Sequence, residues 1–500
     1  MVGQRSFWPQ KGRRASIAIS ILAMGFFMSI TADDIQKIHT ASLQILDEIG
    51  IRFLNKEALA ILKDYGCRVE GDVVRFAPED VMELVGAAPS HFTLEAKNPR
   101  YASTIGQDNM EFLAGYGAPS IMDYEGACRP AETTDYINFL KLVEVHDHFN
   151  INGGVLVQPR TLPADQATAL MLAATLHHST KGLLVANANG AELQLVLDVL
   201  EKWFGEGFEA KPHSMTLINS LSPLQYDEHA LENCIQYARR GQALVITGGA
   251  LIGATGPLSL AASFAQANAE TLAGIAFSQI VRRGTPVVYG MMSSVSDMAT
   301  GTACIGCPEK ALATLWNGKL AAFYNLPCRA GGTDNDAQAV NVQSGMEAMF
   351  TMGATFQANT NLVIHAAGIL AGYAAMSYEK FITDLDALSM LQVLKNGINV
   401  NDETLAMHVM KEVGIGKEYL THPHTFAHCR DTIWPPKVGV RRAVSEKDAH
   451  DELKKRIDRE LKVIYGKYSG PEMESEALQD IRGVLKKGGV DYEAFFPLER

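Results

Sequence analysis

The chain has 500 residues, 47% of them hydrophobic and 20% charged, with a formal net charge of −12. These proportions are ordinary for a globular protein, and the length allows several small domains or one α/β barrel with additions. The acidic balance, with no basic stripe carrying interleaved aromatics, argues against a nucleic-acid binder, because nothing would offset phosphate repulsion.

At the N-terminus, Lys11, Arg13 and Arg14 precede an apolar run over 15–28. That run is shorter than the roughly 20 residues a membrane-spanning helix needs. It resembles a signal-peptide core, yet no A-x-A site follows, and Met24 and Met28 stand just before folded-looking sequence. Residues 1–28 therefore read as an extension or a mis-assigned start, with a true signal as the alternative.

Residues 29–110 read as a small α+β domain. Thr31 and Asp34 form a capping-box start. Ile35, Ile38, Leu43, Ile45, Leu46 and Ile49 then mark the apolar face of a helix. A second helix is expected over 56–65, ending before Gly66. An alternating segment over 67–76, a helix over 78–87 and an extended piece over 91–97 follow.

Residues 111–400 change rhythm. Short, near-continuous apolar runs over 113–122, 151–157, 182–188, 214–219, 243–249, 286–292, 326–331 and 361–367 alternate with helical stretches. The helices are expected over 132–145, 165–178, 191–204, 227–239, 257–282, 308–324, 340–358 and 377–397. Such runs suit parallel strands buried on both faces. About eight βα units suggest closure into a TIM (β/α)8 barrel, an α/β fold, with a doubly wound open sheet as the alternative. No G-x-G-x-x-G follows the first strand, which weakens a dinucleotide reading. Residues 401–500 read as a helical extension packing on the barrel, with helices over 402–413, 446–465 and 475–487 around a loop rich in His and Pro.

Seven scattered cysteines, at 67, 128, 234, 304, 307, 328 and 429, make no disulfide framework and point to a reducing, cytoplasmic setting. Cys304 and Cys307 form one C-x-x-C, and His422, His424 and His428 an H-x-H-x-x-x-H. Either could serve a zinc or thiol-dependent barrel enzyme. The plainer reading, loop thiols and a structural loop, is preferred, with no metal site. No G-x-S-x-G, H-E-x-x-H or Walker motif is present.

Barrel chemistry comes from strand ends and βα loops. Those loops carry Tyr116, Arg160, Asn187, Asn219, Ser220, the run from 331 to 338 (G-G-T-D-N-D-A-Q), Gln343, His365 and Tyr378. They look rich in amides, carboxylates and aromatics, and poor in cations apart from Arg160 and Lys380. Aromatic faces attract a quaternary ammonium by roughly 0.5–2 kcal/mol each, so the set suits a polar or cationic small molecule better than a phosphate ester.

Several segments together resemble the trimethylamine methyltransferase family: 33–53 (DDIQKIHTASLQILDEIGIRF), 115–126 (GYGAPSIMDYEG), 297–309 (DMATG…GCPE), 378–381 (YEKF) and 422–436 (HPHTFAHCRDTIWPP). The resemblance implies a TIM barrel. It also implies transfer of a methyl group from a methylated amine to the cobalt of a corrinoid carried by a separate small protein. Archaeal trimethylamine enzymes of the family use pyrrolysine. This sequence contains none, which resembles the bacterial branch that includes glycine betaine methyltransferase. A quaternary ammonium already has a neutral amine as leaving group, so no covalent adduct to an unusual residue is needed, and a betaine is the expected substrate.

On this basis Asp334 and Asp336 are expected to counter the ammonium charge, and Tyr116 and Tyr378 to offer aromatic faces. Asn335, Gln338 and Gln343 would orient polar substrate atoms. His365 would hydrogen-bond the substrate or the corrinoid, and Arg160 would pair with a betaine carboxylate. A corrinoid-protein partner and a homo-oligomer are expected, with no membrane association. A non-catalytic betaine-binding relative remains an alternative.

Overall fold

The computed structural model describes residues 30–441, 449–470 and 475–496. The reading of 1–28 as an extension lies outside the described residues.

Eight parallel strands form the centre: β1 Glu111–Phe112, β2 Ile151–Gly153, β3 Gly182–Val185, β4 Ser214–Asn219, β5 Ala243–Gly248, β6 Val287–Met291, β7 Cys328–Gly331 and β8 Leu362–Ile364. Their order around the sheet is β1-β8-β7-β6-β5-β4-β3-β2, every neighbouring pair parallel. This is a nearly closed (β/α)8 barrel. At the seam, just beyond β1 and β2, the Gly117 N–H donates to the Val155 carbonyl at 2.6 Å. One helix follows each strand: α1 Thr133–Val145, α2 Ala167–His178, α3 Gly190–Phe204, α4 Glu228–Arg239, α5 Leu260–Val281, α6 Pro308–Phe323, α7 Val342–Gln357 and α8 Tyr378–Asn396. Strand and helix positions follow the apolar rhythm of the sequence, with one correction. The run over 113–122 is not one strand: the chain leaves the ladder at Gly115–Gly117, and Ser120–Met122 joins a small four-stranded sheet over the barrel mouth. Gly117 has φ +88°, a left-handed conformation that breaks the extended run.

The helix Ala32–Gln44 begins at Thr31, with both halves of the capping box made through Asp34. It packs along α5, as does the helix Pro78–Ala87. That covering explains why α5 is apolar on nearly every side rather than on one stripe. The N-terminal sheet is completed by Gln225–Tyr226 from the loop between β4 and α4, paired parallel with Ile51–Phe53. At the other end of the chain, Ala449–Lys467 packs on α1 and α8 beside the seam, and Ser475–Lys487 packs on α2 and α3.

The barrel interior has an apolar floor of Leu113, Ile151, Leu184, Met215, Leu217, Ala243, Val245, Val288, Leu362 and Ile364. From below, the hairpin His91–Leu94/Ser103–Gly106 plugs it with Phe92, Leu94 and Ile105. Above this floor the interior changes character.

Candidate active site

Residues two steps along the same strands carry the change. Val245 on β5 is followed inward by Thr247, and Val288 on β6 by Gly290. Thr247 pairs with Gly290, Gly290 with Arg329, and Arg329 with Leu362. Arg329 is thus the inward residue of β7, set between Gly290 and Leu362. Gly290 makes room for it: a Cβ there would lie 3.0 Å from Arg329 Cγ and Cδ and 2.6 Å from Thr247 Oγ1.

Thr247 and Arg329 line a partly open cavity of about 390 Å³ at the C-terminal ends of the strands. Tyr116, Lys310, His365 and Tyr373 also face it, with Asn219 and Ser294 from the loops. A larger cavity of about 630 Å³ lies between the outer helices α6, α7 and α8, lined almost wholly by apolar side chains. The smaller one holds the chemistry, because active sites of such barrels lie at this end and because charged groups converge only there of the two.

Each wall is fixed by local structure. Lys310 is buried in the first turn of α6, where the helix dipole disfavours a cation. Its Nζ donates to the Met292 thioether at 3.5 Å. Burial lowers the Lys310 ammonium to about 8, opposed by Asp334 and assisted by Arg329. Burial also depresses the Arg329 guanidinium, and its Nε has no hydrogen-bond partner among the described residues. Asp334 lies behind the cavity wall on the β7 loop, tucked over Gly331, where a Cβ would be only 1.9 Å from Oδ2. Burial pushes its carboxyl up to about 6 against the pull of Lys310, Tyr373 and Arg329, and its Oδ1 has no hydrogen-bond partner among the described residues.

His365 ends β8 with φ +66°, a strained conformation for a non-glycine residue. Its Nδ1 accepts the Tyr116 backbone N–H at 3.2 Å. Burial, with Arg329 and Lys310 nearby, holds the imidazole well below its ordinary value, so it is neutral. An accepting Nδ1 leaves the Nε2–H as the donor. The ring packs on Tyr373 with centroids 4.5 Å apart, and Tyr116 fits over Gly154, where a Cβ would be 2.7 Å from its ring. On the opposite wall, Glu270 of α5 accepts from Ser220 and Ser222 Oγ and from the Leu224 N–H, holding the loop that presents Asn219.

Of the residues singled out in the sequence, Tyr116, His365 and Asp334 come together here. The others go elsewhere. Asp336 accepts the backbone N–H groups of Ile305 and Gly306 and so braces the β6 loop. Asn335 donates to the Thr333 and Ile369 carbonyls. Gln338 and Gln343 are exposed, Gln343 bonding Glu347 along α7. Tyr378 stacks on Phe139 at 4.6 Å and donates to Asp135 in the outer helix layer. Arg160 is exposed and lies apart from the cavity lining, and Lys380 is buried against Asp384 within α8. A mouth poor in cations is therefore a misreading: Lys310 and Arg329 supply two. Cys307 caps α6 and donates to the Cys304 carbonyl at 3.4 Å. His424 and His428 lie ring to ring at 4.5 Å on the helix Pro423–Thr432. Among the described residues no three metal-ligating side chains converge.

Fold and site together define a barrel enzyme with a half-enclosed, charged pocket at its catalytic end. The family profile described as trimethylamine methyltransferase (MTTB) matches residues 14–488, and the chain belongs to that family. It is a methyltransferase. It is 36% identical over 466 residues to the glycine betaine methyltransferase of Desulfitobacterium hafniense (strain Y51), covering 92% of this chain and 97% of that one. It is 29% identical to the proline betaine:corrinoid methyltransferase of Eubacterium limosum (89% and 94% covered). To the trimethylamine methyltransferase MttB of Desulfitobacterium hafniense (strain DSM 10664 / DCB-2) it is also 29% identical (80% and 81%).

Proposed function

We propose that the protein moves a methyl group from a quaternary amine of the betaine class to the Co(I) corrinoid of a partner protein. The observation that carries this reading is the mouth cavity itself. Two tyrosine rings and the cationic side chains of Arg329 and Lys310 share one small pocket, with the Asp334 carboxylate buried behind its wall, on a chain similar over nearly its full length to a glycine betaine methyltransferase. Tyr116 and Tyr373 offer faces to a methylated ammonium. The neutral His365 offers one N–H donor without adding charge. A quaternary nitrogen departs as a neutral amine, so the protein's task is orientation: holding the C–N bond in line with the opening. When the partner docks, the reduced corrinoid supplies the nucleophile that takes the methyl group.

Seven thiols free of disulfides and the lack, among the described residues, of a helix able to cross a membrane favour a cytoplasmic location. Exposed Ile398, Leu420 and Phe426, each more than four-fifths accessible, favour a homo-oligomer, which sedimentation would test.

The test is to mix the protein with a Co(I) corrinoid protein and a panel of methylated amines, following absorbance as Co(I) becomes methyl-Co(III). Conversion with a quaternary amine, and not with trimethylamine, is the expected result. No conversion with any amine, while a betaine enzyme works in parallel, overturns the reading.

A further inference from the structure

Two cations and no carboxylate line the cavity. Arg329 and Lys310 face it, while the buried carboxylates Asp334 and Glu270 lie outside its lining, Glu270 already accepting from Ser220, Ser222 and the Leu224 N–H, and His365 is neutral. A substrate that was only a cation would meet two cationic side chains and no carboxylate among the lining groups. Protein interiors rarely hold charge without a partner, and here the unpartnered atom, Arg329 Nε, belongs to a side chain 5% exposed that lines an open cavity. The fold has been shaped to keep it there: Gly290 vacates the space beneath the arginine stem.

We infer that Arg329 and Lys310 form a carboxylate seat, so that the substrate taken is a zwitterion bound with its anionic end at depth and its methylated nitrogen toward the mouth. This rests on the quaternary-amine reading above and adds the group that selects among such amines. A planar guanidinium and a point-charge ammonium from two different elements suit the two oxygens of one carboxylate. Arg329 stands one layer above the apolar floor, so seating the carboxylate there directs the ammonium outward, between Tyr116 and Tyr373. Binding then sets an anionic group against the two cations, and a carboxyl-free cation such as choline does not.

Binding to the full-length protein without corrinoid tests the seat directly, by calorimetry with two probes. One is 3,3-dimethylbutyrate, which keeps the carboxylate of glycine betaine and replaces its trimethylammonium by a tert-butyl group. The other is choline, which keeps the ammonium and lacks the carboxylate. Wild type is expected to bind the acid. Arg329→Met and Lys310→Met should each weaken that binding by about 10- to 100-fold, the scale of a lost charge-assisted hydrogen bond, with choline binding not weakened. Arg329→Lys, which keeps the charge and loses the fork, should fall between. If Arg329→Met is not folded by circular dichroism, Lys310→Met carries the comparison. No binding of the acid by wild type, or equal weakening of both probes in folded variants, overturns the seat. Failure of the transfer reading shows differently: wild type binds the acid and loses it on Arg329→Met, yet methylates no Co(I) from any amine.

Discussion

The floor and the mouth of this barrel are neighbouring regions that obey opposite rules. On the floor, Met215, Val245, Val288 and Leu362 are fully buried among apolar neighbours, and every contact favours folding. At the mouth, Lys310, Arg329 and Asp334 are as deeply buried, yet burial acts against the charged form of each. Burial alone therefore does not identify a stabilising residue. The sign depends on whether the buried group has found its partner, and here the missing partner is the ligand.

The sharpest way to break this comparison is to cut into both layers and measure stability by denaturant unfolding. Met215→Ala on the floor should cost about 2–5 kcal/mol, as large-to-small core changes do, without changing the affinity for 3,3-dimethylbutyrate. Gly290→Ala, at the boundary, adds a Cβ 2.6 Å from Thr247 Oγ1 and 3.0 Å from the Arg329 stem. Overpacking of this kind costs about 1–3 kcal/mol, and because the arginine must shift, acid binding should fall with it. Arg329→Met, at the mouth, should leave the ligand-free protein as stable as wild type or more so. It removes a desolvated charge and leaves Lys310 beside the opposite charge of Asp334. A clear loss of stability in that variant would mean that the arginine is part of the scaffold and that mouth and floor do not differ as argued.

The contrast also explains what the sequence made legible. Eight apolar runs and their helices were readable because burial on both faces leaves a near-continuous hydrophobic signature. The placement of Tyr116 and His365 at the cavity was readable because they stand where strands end, whereas Asp334 lies behind its wall. Arg329 and Lys310 were not legible from the βα loops because one lies inside a strand and the other inside a helix. The signal was nonetheless present: an arginine within the run L-P-C-R-A-G, where neighbouring strands are apolar, and a lysine in a helix's first turn, where the dipole opposes it. Asp336 and Asn335 misled for a physical reason. A buried loop must satisfy its own and its neighbours' backbone groups, and these two side chains are consumed by the N–H groups of Ile305 and Gly306 and by the carbonyls of Thr333 and Ile369.

The smallest effect distinguishes the layers most finely, because the mouth carries groups that titrate near neutrality and the apolar floor carries none. Lys310 has its ammonium lowered to about 8 and Asp334 its carboxyl raised to about 6. The facing groups do not titrate there: His365 is held well below this range, Tyr116 and Tyr373 are pushed above it, and Arg329 stays charged. Raising the pH through 6 ionises Asp334 and adds a negative charge beside the seat. Raising it through 8 removes the Lys310 proton and one positive charge. Both steps disfavour a carboxylate, so affinity for 3,3-dimethylbutyrate should fall from pH 6 to pH 9, while affinity for choline moves the other way. A bound carboxylate also favours the protonated lysine, so binding near pH 8 should take up protons, visible as a dependence of the calorimetric heat on the buffer's ionisation enthalpy. An affinity for the acid that stays flat across this range, with no proton uptake, would show that Lys310 does not face the carboxylate and would leave Arg329 alone to hold it.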